Sequence, residues 1–258
     1  MSTDHIIDVG WRMGRTNRSK KVVFCVPVYP KDPYPQTEKA FQDEIPFLKA
    51  SGWASEVIYQ RGLPYISASR AILLHTALRK DATVIVFIDQ DISWTPGHAV
   101  KLIETDGGML AGTYRYKHDE EHYMGGLNEV EEGIAAVRDD GCLEALVVPA
   151  GFLKVTREAV NRMMKNHPEL CCGEASNPHF DMFSHGIIDD EWRGEDTAAC
   201  MRWWKMGEKV WVRPDLEVNH HAANKDYPGH LGKYLERIAG YSTQDLAKYT
   251  VLPEKVAL

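Results

Sequence analysis

The clearest hydrophobic pattern in the chain is a short, almost unbroken apolar run at residues 83–88, which leads directly into Asp89, Gln90 and Asp91. A run this short and apolar on both faces is typical of a central strand that helices cover on both sides. Ligands of open α/β sheets bind beyond the carboxyl ends of such strands, where Asp89 and Asp91 are expected. Two carboxylates on a tight turn suit Mg²⁺ or Mn²⁺ carrying a diphosphate. The pair alone is explained equally well by a helix N-cap and an ordinary polar turn.

Apolar segments with alternating or helical spacing predict further strands and helices along the chain. Prolines between residues 27 and 35 end the first strand in a stiff loop. Ser67 is predicted to cap the second helix, and residues 134–137 and 143–148 are predicted to form a hairpin. The predicted strands span residues 21–29, 53–59, 83–88, 109–116 and 209–213, and the predicted helices span residues 37–51, 67–79, 96–104, 157–165, 194–206 and 231–238.

Several positions outside the central strand are candidates for ligand contact. Arg70 falls in the first turn of a helix, where the dipole disfavours a cation, so it either faces an anion or is a solvated surface arginine. Gly112 and Gly151 lie in apolar segments where the backbone could approach a ligand closely. The His- and acid-rich stretch 117–128 lacks a regular ligand spacing and is interpreted as a solvated loop. The aromatic stretch 166–193 has little periodicity and predicts an ordered binding wall.

Composition narrows the class of protein. The chain has 258 residues, 44% hydrophobic and 26% charged, as in a soluble globular protein with one large domain or two small ones. No apolar stretch approaches the roughly 20 residues that span a bilayer, and the polar residues 1–21 do not resemble a signal peptide. Five cysteines without a CxxC pair favour a reducing, cytoplasmic location over disulfides or structural zinc. The net charge of −7 argues against non-specific binding to nucleic acid.

A series of motifs occurs in one order along the chain, and this order resembles the GT-A class of nucleotide-sugar glycosyltransferases, especially family-2-like enzymes of small viral and bacterial type. The likeness covers roughly residues 20–222. The motifs are Pro27-Val28-Tyr29 after the first strand, Arg70 at a helix start, Asp89-Gln90-Asp91, a glycine-containing strand before a helix, Glu195-Asp196, and a strand that ends at His220.

The resemblance implies an α/β fold. It implies a single GT-A, Rossmann-like domain with a mostly parallel central sheet, flanking helices and a small antiparallel hairpin. It divides the chain into a flexible basic arm at residues 1–20, a catalytic domain at residues 21–222 and a helical tail at residues 223–258. Within the catalytic domain, a nucleotide-binding half at about residues 21–116 precedes an acceptor half at about residues 117–222.

The resemblance also implies roles for individual residues. Asp91 is expected to bind the metal and Asp89 the metal or the ribose. His220 is the expected third metal ligand, although the adjacent His221 leaves this assignment open, and Ala222 replaces the glycine usual in the family. Asp196 matches the catalytic base of inverting members, with Glu195 as the alternative. The residues expected around the nucleotide sugar are Pro27, Val28, Tyr29, Arg70, Asp89, Gln90, Gly112, Ala150 and Gly151.

The function implied is a metal-dependent transfer of a sugar from a nucleoside diphosphate, UDP first, to an acceptor hydroxyl, with inversion. The cofactor is Mn²⁺ or Mg²⁺, and the enzyme is expected in the cytoplasm, in the host cytoplasm if viral. The acceptor is a glycan, a protein or a modified DNA base. Three alternatives stay open: a phage-type DNA glycosyltransferase that acts on a hydroxymethylated base, a nucleotidyltransferase, and a non-catalytic nucleotide-sugar-binding module.

Overall fold

A computed structural model of the chain describes residues 19–131, 134–174, 177–239 and 250–251. Most of the predicted basic arm, with Arg12, Arg15 and Arg18, and most of the tail beyond residue 239 lie outside the described residues. The helices are α1 (Pro35–Ala50), α2 (Ile66–Arg79), α3 (His98–Glu104), α4 (Arg157–Asn166), α5 (Glu195–Lys205) and α6 (Leu231–Ala239). The strands are β1 (Lys21–Val28), β2 (Ala54–Arg61), β3 (Val84–Ile88), β4 (Ile92–Trp94), β5 (Met109–Ala111), β6 (Gly126–Leu127), β7 (Glu129–Glu131), β8 (Ile134–Ala135), β9 (Leu143–Val147), β10 (Phe152–Thr156), β11 (Cys171–Glu174), β12 (Asn177–Phe180), β13 (Gly186–Ile188), β14 (Glu191–Arg193), β15 (Val210–Val212), β16 (Glu217–Ala222), β17 (Lys225–His230) and β18 (Thr250–Val251).

The described part of the chain is built around an eight-stranded sheet in the order β2-β1-β3-β10-β5-β15-β9-β6. Strands β2, β1, β3, β5, β15 and β6 run in one direction, while β10 and β9 are inserted antiparallel. The predicted fold class, an α/β protein with a mostly parallel central sheet and flanking helices, is confirmed. Strand β3 lies inside the sheet, as its apolar sequence predicted, with β1 parallel on one side and β10 antiparallel on the other.

Helices cover both faces of this sheet. Ile85 and Phe87 of β3 point to one face, and Val84, Val86 and Ile88 point to the other. The first face packs against residues of α2, α4, α5 and α6, and the second against residues of α1 and α3. All of β3 is buried. Because burial of an aliphatic side chain contributes about 1.5–3 kcal/mol, this strand anchors the fold.

A second, three-stranded antiparallel sheet in the order β17-β16-β4 determines the shape of the ligand edge. Strand β4 follows the Asp89–Asp91 turn directly, and β16 pairs with it so that His220 lies opposite Ile92. The backbone N–H of His221 also donates to the carbonyl oxygen of Asp91 at 2.8 Å. Residues that are more than a hundred positions apart in sequence are thereby brought to one edge.

Some predicted boundaries are wrong. Ser67 does not cap α2, because the helix begins at Ile66 and Tyr65 occupies the extended N-cap position without a side-chain cap. The predicted strand 109–116 ends at Ala111 as β5. The turn at residues 138–142 does form, and Arg138 N–H donates to the Cys142 carbonyl oxygen. The strands on its two sides then join different sheets, since β8 pairs with β7 and β18, whereas β9 pairs with β15 and β6.

The aromatic stretch at residues 166–193 is ordered where it is described. It forms two antiparallel ribbons, β11–β12 and β13–β14. Phe180, Met182 and Phe183 anchor the stretch in the core, whereas Ile187 and Trp192 of the second ribbon are 74% and 71% exposed. Among the described residues, no helix combines the length and the apolar character needed to cross a bilayer.

Candidate functional site

A polar cleft of about 340 Å³ opens where β1 and β3 end and α5 begins. Most of the residues that the sequence singled out line this cleft, although they come from five separate parts of the chain. The predicted residues on its wall are Pro27, Val28, Tyr29, Arg70, Asp89, Gln90, Asp91, Glu195, Asp196 and His220. The remaining wall, which the sequence analysis missed, consists of Leu63, Pro64, Ile66, Tyr114 and Met124.

Asp91 and His220 face each other across one end of the cleft. The Nε2 atom of His220 lies 3.5 Å from Oδ2 of Asp91. The Nδ1 atom of His220 is 2.8 Å from the carbonyl oxygen of Arg115, which can only accept, so Nδ1 carries a proton and donates it there, and Nε2 is the ring nitrogen turned toward Asp91. Although burial raises the pKa of Asp91, His220 and the ammonium of Lys117 outweigh burial and lower it. The ammonium of Lys117 pairs with Oδ2 of Asp91.

His221 points away from the cleft, and its orientation settles which of the two adjacent histidines belongs to the site. Its side chain is buried, with Nε2 at 2.7 Å from Oγ of Ser93 and Nδ1 at 2.6 Å from Oδ1 of Asp226. Neighbouring side chains on a strand point to opposite faces, which is why only one histidine can reach the cleft. His220 is that residue.

A buried arginine joins the carboxylates at the other end of the cleft. Arg70 is only 2% exposed. Its Nη1 donates to Glu195 Oε1 at 2.9 Å and to Asp196 Oδ1 at 3.0 Å, and its Nη2 donates to Asp89 Oδ1 at 2.9 Å. Burial opposes the charged guanidinium, but the three carboxylates outweigh it and raise the pKa of Arg70. The anions that Arg70 faces in this structure are carboxylates of the protein itself, and its expected place near the nucleotide and diphosphate stays a prediction.

Asp196 accepts hydrogen bonds from two donors, and its pKa is raised above the usual value of an aspartate. Its Oδ2 accepts from the backbone N–H of Ala150 at 3.1 Å, in addition to the bond from Arg70 to Oδ1. Burial raises the pKa of Asp196 to about 6, with help from Glu195 and Asp89 and against the effect of Arg70. A carboxyl group with a pKa near the working pH is suited to accept a proton from a reacting hydroxyl group.

Gly151 and Gly112 fit two different tight places. A Cβ atom at Gly151 would lie 2.2 Å from the hydroxyl oxygen of Tyr114 and 2.6 Å from Oδ2 of Asp89, directly behind the cleft. Gly151 therefore leaves room for these two side chains, and the approach of a ligand to its backbone stays a prediction. Gly112 is not on the cleft wall, and a Cβ there would lie 2.6 Å from Cδ1 of Phe152 inside the core. The close contact at Gly112 is internal packing, and its expected ligand role stays a prediction.

Gln90 has a structural role in the cleft wall. Its side-chain amide donates to the carbonyl oxygen of Tyr29 at 3.0 Å and accepts from the N–H of the same residue at 2.9 Å. Its backbone carbonyl oxygen accepts from Tyr34 N–H at 2.8 Å and from the Thr37 hydroxyl at 3.0 Å. These bonds fix the loop after β1 against the turn after β3, and they leave the ring of Tyr29 half exposed.

The donor set at the Asp91 end fits a divalent cation in part. Asp91 Oδ2 and His220 Nε2 are the atoms that would hold a metal ion, and the bond from Nδ1 to the Arg115 carbonyl oxygen orients the imidazole as such bonds do in metal sites. Asp89 does not complete the set, because its Oδ1 is bound to Arg70 and its Oδ2 is 3.4 Å from the Tyr114 hydroxyl. Within the described ranges, no group of three or more His, Cys, Asp or Glu side chains could hold a metal on its own.

No protein-family model matches the sequence, and no curated protein matches it. Three solved structures similar to this chain are A197 from STIV, a mutant of Drosophila β-1,4-galactosyltransferase 7 in complex with manganese, UDP-Gal and xylobiose, and a glycosyltransferase involved in the glycosylation of the major capsid of PBCV-1. A197 is 15% identical, with 93% of this chain and 97% of that chain covered and a TM-score of 0.46. The Drosophila enzyme is 13% identical, with 92% and 82% covered and a TM-score of 0.43. The third is 10% identical, with 57% and 66% covered and a TM-score of 0.32.

Two of these three proteins are glycosyltransferases by their descriptions. Similarities this low do not identify the substrate or the reaction of this chain. Both must be inferred from the cleft itself.

Proposed function

We propose that this protein is a glycosyltransferase that moves a sugar from a nucleoside diphosphate, with UDP the first choice, to an acceptor hydroxyl group with inversion. One observation carries the proposal. A single cleft contains the Asp91–His220 pair at one end and Asp196 at the other, and the buried Arg70 connects Asp196 to Asp89 of the same turn as Asp91.

The leaving group is assigned to the Asp91 end. When bound there, Mn²⁺ or Mg²⁺ would stabilise the negative charge that develops on the departing diphosphate. Asp91 and His220 would hold the cation, and oxygens of the diphosphate would complete its shell, since Mg²⁺ in phosphate sites is usually bound by one or two protein groups plus substrate. The family resemblance implies that Asp89 contacts the metal or the ribose. In this proposal Asp89 binds Arg70 and does not bind the metal, and the ribose is its only expected ligand contact.

The nucleoside is assigned to the wall formed after β1 and before α2. Pro27, Val28 and the half-exposed Tyr29 form one side of this wall, and Leu63, Pro64 and Ile66 extend it. Apolar and aromatic walls with a few polar groups are typical of small-molecule sites. In this arrangement, residues 21–116 supply most of the nucleotide side. Residues 117–222 supply the acceptor side and also contribute His220 to the metal end.

The acceptor is assigned to the Asp196 end. An alcohol has a pKa far above 7, so an inverting attack gains from a carboxylate within hydrogen-bond reach, and such a base typically contributes about 10²–10⁴-fold. Asp196 is oriented for this by Arg70 and by Ala150 N–H, with Glu195 beside it. Ile187 and Trp192 are exposed cross-strand partners on the ribbon that precedes α5 in the chain, and we take this apolar and aromatic pair as the platform for the acceptor.

A glycan is the preferred acceptor, because a sugar ring presents both hydroxyl groups and an apolar face to such a platform. A protein or a hydroxymethylated DNA base would also offer a hydroxyl group, but the net charge of −7 disfavours approach to DNA, a polyanion. A nucleotidyltransferase with a similar sheet normally has a glycine-rich basic phosphate loop after the first strand, where this chain has the proline-rich stretch 27–35. A non-catalytic binding module would bind the donor without turnover.

The substitution Asp196→Asn tests the proposal. It keeps the size of the side chain but removes the proton acceptor, so release of nucleoside diphosphate in the presence of a panel of glycoside acceptors should fall by about 10²–10⁴-fold. Donor binding, measured by calorimetry, should be retained. The matched control is Asp139→Asn in the exposed turn after β8, which should behave as wild type. Full turnover in Asp196→Asn would rule out Asp196 as the base, and donor binding without any turnover by wild type across the panel would favour a binding module.

A further inference from the structure

The cleft contains a cation of its own at the point where the divalent ion is proposed to bind. The ammonium of Lys117 pairs with Oδ2 of Asp91, the same oxygen that lies 3.5 Å from Nε2 of His220. The lysine side chain is about one third exposed, while those of Asp91 and His220 are 19% and 13% exposed. The contact is therefore half-buried and sits on the predicted metal ligands, not on the outer surface.

The local chemistry favours a cation at this place. Nδ1 of His220 donates to the carbonyl oxygen of Arg115, and the other ring nitrogen, Nε2, is turned toward Oδ2 of Asp91. A carboxylate that is mostly buried, as Asp91 is, is unfavourable unless a positive charge lies against it. Lys117 supplies that charge in this structure, as a compact ammonium on a flexible stem that can take several positions.

The same loop provides both the orientation of His220 and the resident charge. Arg115 contributes the carbonyl oxygen, and Lys117 follows two residues later. An isolated bridge between Arg115 and Tyr123 and a hydrogen bond of 3.0 Å from Tyr116 N–H to the His122 carbonyl oxygen close the base of this loop. Since the backbone is held, a lysine side chain that leaves Asp91 stays within reach of the cleft.

We infer that Lys117 is a resident counter-ion of the metal site, which the divalent cation must displace and which then pairs with the diphosphate of the donor. A divalent cation binds a carboxylate oxygen at about 2.0–2.2 Å, so an ammonium on the same oxygen would lie close to two positive charges. The two cations therefore cannot both contact Oδ2 of Asp91. A metal ion without nucleotide must compete with Lys117 for this oxygen. A metal ion that binds together with a diphosphate also provides an anion with which the displaced ammonium can pair.

This inference rests on the proposed function, and it predicts a specific coupling between metal and nucleotide. The test is the binding of Mn²⁺ alone, followed by the paramagnetic resonance signal of free Mn²⁺, with and without UDP, in wild type, Lys117→Met and Lys39→Met. Lys39 is the matched control, because it is an exposed lysine paired with Asp43 on α1 and its loss changes the net charge equally. Lys117→Gln serves as a second variant, and melting temperatures verify that each variant is folded.

Wild type and Lys39→Met are expected to bind Mn²⁺ weakly alone and much more tightly with UDP. In Lys117→Met and Lys117→Gln, the affinity for Mn²⁺ alone should rise by about tenfold or more, within the usual range of coupling between ligands, and the gain from UDP should shrink correspondingly. Unchanged Mn²⁺ affinity in both Lys117 variants overturns the inference but leaves the proposed function intact, provided that UDP still strengthens Mn²⁺ binding. Absence of Mn²⁺ binding in every variant, with UDP present, removes the metal-dependent function and this inference together.

Discussion

At the scale of single residues, Arg70 is the group that most constrains the chemistry of the cleft. A fully buried guanidinium is unfavourable alone, and it is stable here because Asp89, Glu195 and Asp196 surround it. The positive charge of Arg70 in turn favours negative charge on the three carboxylates that contact it. Arg70 favours the ionised form of Asp196, and burial opposes it, which leaves the pKa of Asp196 at about 6.

The acidity of Asp196 predicts the pH dependence of turnover. A general base must be deprotonated to accept a proton. The rate of transfer should therefore be at its maximum above the pKa of Asp196 and should fall as the pH falls through about 6. The usual pKa of an aspartate is about 3.9, so an ordinary carboxylate would place this acidic limb roughly two units lower. The measurement is kcat against pH at saturating donor and acceptor. An acidic limb that stays near 4 would mean that Asp196 is not the group that titrates in turnover.

At the scale of elements, helix α3 depends on a residue from another helix. It begins without a side-chain cap of its own, after Gly97 in the left-handed region. Glu44 of α1, fully buried, accepts from Gly97 N–H at 2.8 Å, Val100 N–H at 2.9 Å and Trp94 Nε1 at 2.9 Å. A carboxylate at a helix N-terminus satisfies free donors and the helix dipole together. Glu44 thereby joins α1, β4 and α3 on one face of the sheet.

The substitution Glu44→Ala should therefore destabilise the whole protein. It leaves buried donors without a partner, and each such group costs about 1–3 kcal/mol. The free energy of unfolding from urea titration is the measurement. Asp43→Asn on the same helix, which removes only the exposed pair with Lys39, should change it by less than about 0.5 kcal/mol. Equal effects of the two substitutions would show that the donors at the start of α3 find water instead.

Local patterns predicted most elements but not their partners. The apolar run of β3 and the acidic start of α5 are each a signal carried by a few neighbouring residues, and both are present. Strand β17 was missed because its sequence is polar and contains Pro228. A proline is tolerated there because β17 is at the edge of its sheet. Ser67 was misread because serine also fits inside a first helical turn.

At the scale of the whole molecule, the cleft depends on contacts between distant parts of the chain. Arg70 meets Glu195 and Asp196 across 125 and 126 positions, and Lys117 meets Asp91 across 26. The family resemblance predicted most of the cleft residues, because it supplied an order of motifs along the chain. It could not supply Lys117 or the internal pairing of Arg70, since neither contact leaves a periodic or local signal.

The antiparallel insertion of β10 between β3 and β5 is a further long-range feature that the sequence could not reveal. It brings Gly151 behind Asp89, whose backbone N–H donates to the Gly151 carbonyl oxygen at 3.1 Å, and brings Ala150 to Asp196. Strand direction depends on which partner a segment finds, not on its own composition. Strand β10 and the residues just before it thereby connect the core of the sheet to the Asp89–Asp91 turn and to Asp196.

The most direct test of the central claim is a thermal-shift panel of UDP-, GDP-, CMP- and TDP-linked sugars, each with Mn²⁺ and with EDTA, on wild type and Asp91→Asn. A ligand at a hundred times its Kd stabilises the folded state by about 2.7 kcal/mol, or roughly 5–10 °C for a chain of this size. The account predicts such a shift for one nucleotide with Mn²⁺, and its loss in EDTA and in Asp91→Asn. No shift with any nucleotide, or a shift indifferent to both EDTA and Asp91→Asn, would contradict it.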